Sequence, residues 1–209
     1  MSKAFVYTEL QISVPFEKSP WREINPQLLQ QEGFRNKTWL SGIANQSLGG
    51  FYEFDTIENA KKFVTGIFPK EAKKLGAALT TRIFDGDVVE EASQFLNSAH
   101  FDGKVTTKPK AYVYTEVQIS APFADAPWKQ MNPLLKAQPG LLHKTWLSGV
   151  QNNSVGGFYA FDSIENATTF VTDYFPTEAA GLNVAYTTRL FDALVTEEAS
   201  RPLSSPFYI

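Results

Sequence analysis

The residues best suited to chemistry are acidic and basic side chains that occur twice along the chain. Glu9 and Arg82 recur about 107 residues later as Glu116 and Arg189. A glutamate in an apolar cavity can act as a general base when burial raises its pKa. An arginine nearby can stabilise a developing phenolate or enolate. These four residues are therefore the candidate catalytic groups.

Aromatic and lysine side chains accompany them in both parts of the chain. Tryptophan and tyrosine can stack on a flat ring, and lysine can pair with its anion. The predicted ligand is therefore a small aromatic molecule that is phenolic, quinone-like or polyketide-like. The candidate substrate-binding residues are Tyr7, Lys37, Trp39, Tyr52, Tyr114, Lys144, Trp146 and Tyr159.

Each of these residues also has a purely structural interpretation. The glutamate and arginine residues can form ion pairs in a filled core, which perturbs pKa values without catalysis. Trp39 and Trp146 can be ordinary core residues. Lys37 and Lys144 can reach solvent from the end of a strand. The sequence leaves both interpretations open.

The chain is an internal tandem duplication. Residues 3–93 align with residues 110–200 without a gap, which is far more similarity than a shared fold class produces. The strongest matching blocks are Lys37–Gly42 with Lys144–Gly149, Gly49–Tyr52 with Gly156–Tyr159, and Glu90–Ser93 with Glu197–Ser200. The predicted domains are residues 1–95 and 110–209, joined by a linker over residues 96–109.

Each copy has the pattern of a β-α-β-β-α-β unit. In the first copy we predict strands over residues 5–13, 35–41, 50–54 and 79–84. One helix follows Ser19-Pro20 and ends near Gly33, and a second follows a capping box of Asp55 and Glu58. Pro69 is expected to interrupt the second helix.

This order predicts an α+β fold made of two ferredoxin-like units. The helices cover one sheet face, so the other face needs a partner, and the second copy is the obvious one. The prediction is an intrachain dimeric α+β barrel, a monomer with pseudo-twofold symmetry for which further self-association stays open. Tyr7 and Glu9 should face away from the helices, with Arg82 on the neighbouring strand. For strand three, either Tyr52 or Phe51 could face the cavity.

Composition excludes several functions. A net charge of −3 without a basic run gives no electrostatic reason to expect nucleic-acid binding. No apolar run approaches the roughly 18 residues that span a bilayer. The absence of cysteine excludes disulfides and a thiolate nucleophile. We expect a cytoplasmic protein without a signal peptide. His100 and His143 are expected to be linker, surface or edge residues, not metal ligands.

An ordered set of residues carries a family resemblance. In the first copy the set is Gly33, Lys37, Trp39, Gly49, Gly50, Tyr52, Phe54, Ala60, Leu75, Gly76, Phe84 and Asp85. It resembles the YdhR-like mono-oxygenases, which are small dimeric α+β barrel proteins. The second copy matches at most of these positions but has Asn183 in place of Gly76. The resemblance implies a mono-oxygenase that requires no cofactor, here with two subunits fused into one chain.

Three functions remain in competition. The first is a cofactor-independent mono-oxygenase, or a related isomerase or cyclase, acting on an aromatic substrate. The second is a non-catalytic small-molecule binding protein that uses the same cavity. The third is a structural module whose barrel is simply a stable body. The resemblance ranks the first ahead, although a fold alone does not determine a function.

Overall fold

The computed structural model describes residues 2–208, so Met1 and Ile209, which end the predicted domain ranges, lie outside the described residues. The chain divides into two compact units. The first unit contains Met1–Asp87 and Val195–Ile209, and the second contains Val88–Leu194. Each unit has one four-stranded antiparallel sheet with helices, which confirms the predicted α+β class and the two ferredoxin-like units.

The elements of the two copies follow the same order. The first copy contains β1 (Ala4–Leu10), α1 (Trp21–Leu28), β2 (Phe34–Ser41), β3 (Leu48–Phe54), α2 (Ile57–Thr65), α3 (Ile67–Lys74), β4 (Leu79–Asp85) and α4 (Glu90–Phe95). The second contains β5 (Ala111–Val117), α5 (Trp128–Lys136), β6 (Leu141–Ser148), β7 (Val155–Phe161), α6 (Ile164–Thr169), α7 (Phe175–Leu182), β8 (Tyr186–Asp192) and α8 (Glu197–Ser200). Among residues 2–208, no helix is both long and apolar enough to cross a membrane.

Local sequence explains the start of the second helix in each copy. The side chain of Thr56 accepts a hydrogen bond from the backbone N of Asn59 at 3.1 Å, so Thr56 is the N-cap of α2. Ser163 caps α6 in the same way. The predicted capping box of Asp55 and Glu58 is therefore displaced by one residue. Asp55 Oδ1 instead accepts from the Asn59 side chain at 2.9 Å.

The middle of this helical segment differs between the copies. In the first copy it breaks at Gly66, between α2 and α3. The prediction placed the interruption at Pro69, but Pro69 lies in the first turn of α3, where proline is tolerated. In the second copy Asp173 replaces Gly66, and residues Phe170–Tyr174 form a π-helical turn between α6 and α7. Such turns often occur at functional sites.

The sheet of the first unit has the order β2-β3-β1-β4, and that of the second has β6-β7-β5-β8. In the first unit Val6 is paired with Tyr52, and Tyr52 with Lys37, so these side chains share one face. This face packs on the helices, since Val6 and Tyr52 belong to a core cluster with Phe63 of α2. Tyr7 and Glu9 lie on the other face, as predicted.

The segment after each β-α-β-β-α-β copy belongs to the compact unit of the other copy. α4 follows the first copy in sequence but is part of the second unit, whereas α8 follows the second copy and is part of the first unit. The compact units are therefore different residue sets from the predicted ranges 1–95 and 110–209. This exchange has direct consequences for the tryptophans described below.

Candidate functional site

A cavity lies between the sheet and the helices within each unit. The second unit's cavity has a volume of about 330 Å³, whereas the first unit's has about 40 Å³. The larger one is lined mainly by apolar side chains, with a few polar groups among them: Thr115, Val117, Met131, Lys144, Trp146, Val155, Tyr159, Phe175 and Glu178. A volume above roughly 300 Å³ is in the range of small-molecule sites.

Lys144 lies at the base of the second cavity and is almost completely buried, with 1% of its surface exposed. Its Nζ is 2.9 Å from the ring centroid of Trp146 and 4.9 Å from that of Tyr159. Among residues 2–208, no carboxylate lies within ion-pairing distance of Nζ and no hydrogen bond to it is found. The two aromatic faces are therefore its nearest electrostatic partners.

Glycine makes room for this arrangement. Gly157 is paired with Trp146 across the sheet, on the face that carries the lysine. A Cβ at Gly157 would lie 2.6 Å from the ring of Tyr159 and 2.8 Å from Lys144 Cε. A larger residue would therefore displace both side chains. This explains one glycine of the repeated Gly-Gly pair.

The tryptophan is fixed by residues of the exchanged segment. Trp146 Nε1 donates to Asn132 Oδ1 at 2.8 Å, and Asn132 Nδ2 donates to the carbonyl of Ala92 at 2.9 Å. The backbone N of Trp146 donates to Ser93 Oγ at 2.9 Å. Ala92 and Ser93 belong to the repeated Glu-Glu-Ala-Ser block, so this block positions the tryptophan.

The first unit repeats the same network. Trp39 Nε1 donates to Asn25 Oδ1 at 2.9 Å, and Asn25 Nδ2 donates to the carbonyl of Ala199 at 2.8 Å. The backbone N of Trp39 donates to Ser200 Oγ at 2.9 Å. Lys37 Nζ lies 2.9 Å from the ring centroid of Trp39, so the base of the small cavity matches that of the large one.

Burial controls the protonation of the second cavity. It lowers the pKa of Lys144 well below its usual value, an effect that the negative charge of Glu178 partly opposes. Burial also raises the pKa of Glu178, although Lys144 and Tyr174 act in the other direction. The phenol pKa of Tyr159 is raised by burial as well. The cavity therefore favours uncharged forms of its ionisable groups.

Glu178 and Tyr174 leave hydrogen-bonding capacity unused. The two groups are close enough to influence each other's pKa: burial raises the pKa of Tyr174, and Glu178 raises it further. Their contact is nevertheless not a well-formed hydrogen bond, because neither Tyr174 Oη nor Glu178 Oε1 has a partner within residues 2–208 although both atoms are buried. Unpaired buried polar atoms are costly, so they mark a site that a ligand can complete.

The equivalent glutamate of the first unit, Glu71, forms an ion pair. Glu71 Oε1 lies 2.6 Å from Lys74 Nζ, one turn further along α3. In the second copy Gly181 occupies the position of Lys74, so Glu178 lacks this partner. The cavity walls differ too, because Leu10 and Leu48 correspond to the smaller Val117 and Val155.

The predicted site residues thus separate onto the two faces of each sheet. Lys37, Trp39 and Tyr52 line the first cavity, and Lys144, Trp146 and Tyr159 line the second, all on the helix side. Sequence analysis placed this cavity on the opposite face. The difference arises because β2 and β6 are buried on both faces, so no alternation of polar and apolar residues reveals their orientation.

The remaining candidates lie on the face away from the helices. Tyr7 Oη donates to Glu9 Oε2 at 2.7 Å, and Tyr114 Oη donates to Glu116 Oε2 at 2.6 Å. Arg82 on β4 is paired with Tyr7 on β1, so its side chain is a diagonal neighbour of Glu9. In the second unit Arg189 is paired with Tyr114 and is a diagonal neighbour of Glu116 in the same way. Both arginines are exposed. A catalytic role for these glutamates and arginines stays a prediction.

One further prediction holds in part. His143 lies on β6, an edge strand of its sheet, which is one of the predicted alternatives. It is not at the surface: it is 3% exposed, and its Nδ1 lies 2.6 Å from the carbonyl oxygen of Asn97. In the first copy its position holds Asn36, whose side chain donates to Glu53 at 2.9 Å. Ala160 replaces Glu53 in the second copy, so the two substitutions occur together at one cross-strand pair.

Sequence analysis missed Glu178, although a signal for it exists. The copies differ at Lys74 and Gly181, and at Ile67 and Tyr174, and these substitutions surround the glutamate. Differences between copies, not identities, therefore mark the second cavity.

Comparison with known proteins supports the fold. No protein-family model matches the sequence, and no curated protein matches it. A crystal structure named "anthrone oxidase-like protein" is similar, with a TM-score of 0.58, 14% identity, 91% of this chain covered and 90% of that one. A protein from Fusobacterium nucleatum named "putative monooxygenase" gives a TM-score of 0.53, 10% identity and coverages of 92% and 93%.

A variant of the chlorite dismutase from Candidatus Nitrospira defluvii is also similar. Its TM-score is 0.53 at 8% identity, with 95% of each chain covered. These proteins share the dimeric α+β barrel fold. At such low identity the likeness shows the fold alone.

Proposed function

We propose that this chain is a monooxygenase-like enzyme whose working site is the cavity of the second unit. The substrate class is a small aromatic molecule with an acidic O–H or ring-activated C–H bond. The observation that supports this best is the cavity of about 330 Å³ with a buried lysine at its base and an incompletely bonded glutamate beside it. The YdhR-like resemblance and the fold neighbours support the reaction class.

The cavity residues suit the removal of a proton from such a substrate. An uncharged Lys144 amine can accept the proton, and the resulting ammonium then stabilises the phenolate or enolate that remains. Trp146 and Tyr159 provide ring faces for stacking. Glu178 lines the same cavity but lies beyond ion-pairing distance of Lys144, so the proton exchange between them as the cycle closes needs the substrate or a water molecule in between.

The oxygen step balances without any other reductant. The substrate carbanion gives its electrons to dioxygen, a carbon–oxygen bond forms, and the hydroperoxide loses water to leave a carbonyl. A CH₂ group and O₂ thus become C=O and H₂O, so one oxygen atom enters the product. The proposal keeps the expectations that no cofactor is required and that the chain acts as a monomer in the cytoplasm.

The first unit is proposed to be inactive as a site. Its cavity of about 40 Å³ has room for little more than water, although its lysine, tryptophan and tyrosine match those of the second. The proposal assigns no step to Glu9, Arg82, Glu116 or Arg189, which lie on the face of the sheet opposite the cavities.

Oxygen consumption with anthrone and 1-naphthol as probes tests this function. We expect turnover by the full chain with ¹⁸O from labelled dioxygen in the product, and a loss of about 10²-fold or more in Lys144→Met, as for removal of a general base. Lys37→Met is the matched control and should keep its activity. Equal losses in both variants would contradict the assignment to the second unit.

A non-catalytic binding protein is the second candidate, favoured by the same apolar cavity. It predicts that 1-naphthol raises the Tm of the full chain and of Lys37→Met, without oxygen consumption. Absence of both binding and turnover would instead favour a structural module.

A further inference from the structure

We infer that the Lys144 amine is a nucleophile that forms an imine with an aldehyde or aryl ketone held in the second cavity. This activity rests on the proposed site but not on its oxygen chemistry. It assigns the cavity a carbonyl compound as its ligand class and gives the lysine a covalent role.

The geometry supplies what such a lysine requires. Nζ borders a cavity that accepts a small molecule, and no ion pair or hydrogen bond within residues 2–208 occupies it. Desolvation in an apolar pocket is a recognised way to activate a lysine amine. The lowered pKa of Lys144, caused by burial, agrees with this environment.

Glu178 provides the proton transfers that the condensation needs. The amine nitrogen attacks the carbonyl carbon and the carbonyl oxygen takes up a proton, giving a carbinolamine. Protonation of that hydroxyl lets it leave as water while the C=N bond forms, with no net change in oxidation state. Burial raises the pKa of Glu178, which favours the protonated carboxyl as the donor. Its unpartnered Oε1 is free to bond the leaving hydroxyl.

The first unit contains a matched control within the same chain. Lys37 has the same burial, 1% exposed, and its Nζ lies 4.8 Å from the ring centroid of Tyr52. Lys37 lacks the two other features of the Lys144 site, a large cavity and an available glutamate. Its cavity has a volume of about 40 Å³, and Glu71 is paired with Lys74. Carbonyl chemistry should therefore distinguish two lysines whose immediate neighbours are the same.

Reductive trapping tests the inference directly. The full chain is incubated at neutral pH, without oxygen, with benzaldehyde and sodium cyanoborohydride, and the benzylated lysines are located by peptide mass spectrometry. We expect Lys144 to be labelled at least about tenfold faster than the surface residue Lys129, the ratio that corresponds to a single pKa unit. We also expect Lys144 to be labelled faster than Lys37, because the cavity of about 40 Å³ beside Lys37 has no room for benzaldehyde. Labelling of Lys144 no faster than that of Lys129 would overturn the inference.

A substitution outside the aromatic cluster checks the role of the glutamate. A Cβ at Gly181 would have no atom within 4 Å, so the position accepts a side chain, and Gly181→Lys restores the lysine of the first copy one turn from Glu178. We expect slower labelling of Lys144 in this variant and no change for Lys37. Unchanged labelling would exclude Glu178 as the proton donor, and circular dichroism verifies the fold. Trapping without oxygen consumption would separate this inference from the proposed oxygenase function.

Discussion

The two units hold the same lysine over the same tryptophan, with Nζ 2.9 Å from the ring centroid in each, yet they offer very different cavities. The first encloses about 40 Å³ and the second about 330 Å³. The difference arises at the walls and in the helical segment above the sheet, where the first copy breaks at Gly66 and the second has a π-helical turn. The two units therefore share the scaffold of the site and differ in its contents.

The largest expected effect concerns the glycine beneath the lysine. Gly157→Ala places a methyl group against Lys144 and Tyr159, so we expect activity to fall by about 10²-fold, as for a misplacement of roughly 1 Å. Gly50→Ala makes the equivalent clash at Lys37 and should leave activity unchanged. Oxygen-consumption assays on both variants measure this. Similar losses in both would mean that the first cavity also works.

The scaffold itself should respond equally in the two units. Asn132→Ala and Asn25→Ala each leave a tryptophan Nε1 and a backbone carbonyl without partners, at a cost of about 1–3 kcal/mol of unfolding free energy. Urea unfolding of both variants measures the loss. A loss confined to one unit would show that the two networks are not equivalent, despite hydrogen-bond lengths that agree within 0.1 Å.

Stability should also depend on pH in a way that separates the lysines. Burial lowers the pKa of Lys37, so the unfolded chain binds more protons and stability rises with pH between the folded pKa and the usual value near 10.4. Lys37→Met removes this term. We expect the variant to be more stable than the parent at neutral pH by about 1–3 kcal/mol, the usual cost of a buried polar group without a hydrogen-bond partner.

That advantage should shrink as pH rises toward the unfolded pKa of lysine. Lys144→Met should gain less, because Glu178 partly supports the charge of Lys144 and is left without it in the variant. Thermal melts over a pH series compare the two variants. An advantage of Lys37→Met that grows with pH would contradict the assigned direction.

The smallest expected effect comes from the cavity walls. Val117→Leu combined with Val155→Leu gives the second cavity the two leucines that line the first. We expect 1-naphthol to bind about tenfold more weakly to this variant, a loss of roughly 1.4 kcal/mol of binding free energy. Leu10→Val with Leu48→Val enlarges the first cavity. When these changes are combined with the two leucines in the second cavity, we expect weak binding of 1-naphthol in the first. Calorimetric titration distinguishes these results. If the Val117→Leu/Val155→Leu variant binds 1-naphthol with unchanged affinity, the helical segment alone, and not the wall residues, causes the difference in cavity volume.

Sequence reasoning reached the fold because the duplication and the strand patterns are strong local signals. It also placed Tyr7 and Glu9 on the correct face of β1. It could not orient Lys37 and Trp39, because β2 is buried on both sides and its residues give no polarity contrast. Nor could it locate the cavity, whose size depends on Val117, Val155 and a helical irregularity.

The exchange of segments between the copies also lay beyond sequence reasoning. α4 and α8 carry the same Glu-Glu-Ala-Ser block, and the edge strands they meet share the run Lys-Thr-Trp-Leu-Ser, so the local sequence gives no preference for either pairing. Only the three-dimensional contacts distinguish them.

That exchange makes the two halves of the gene mutually dependent. The carbonyl of Ala199 and the hydroxyl of Ser200 orient a tryptophan encoded some 160 codons earlier, at Trp39. Cutting the coding sequence between the copies therefore yields two fragments, each missing the residues that fix its own indole. A substitution in either Glu-Glu-Ala-Ser block therefore disturbs the tryptophan of the other copy, whereas the cavity walls and the neighbours of Glu178 differ between the copies.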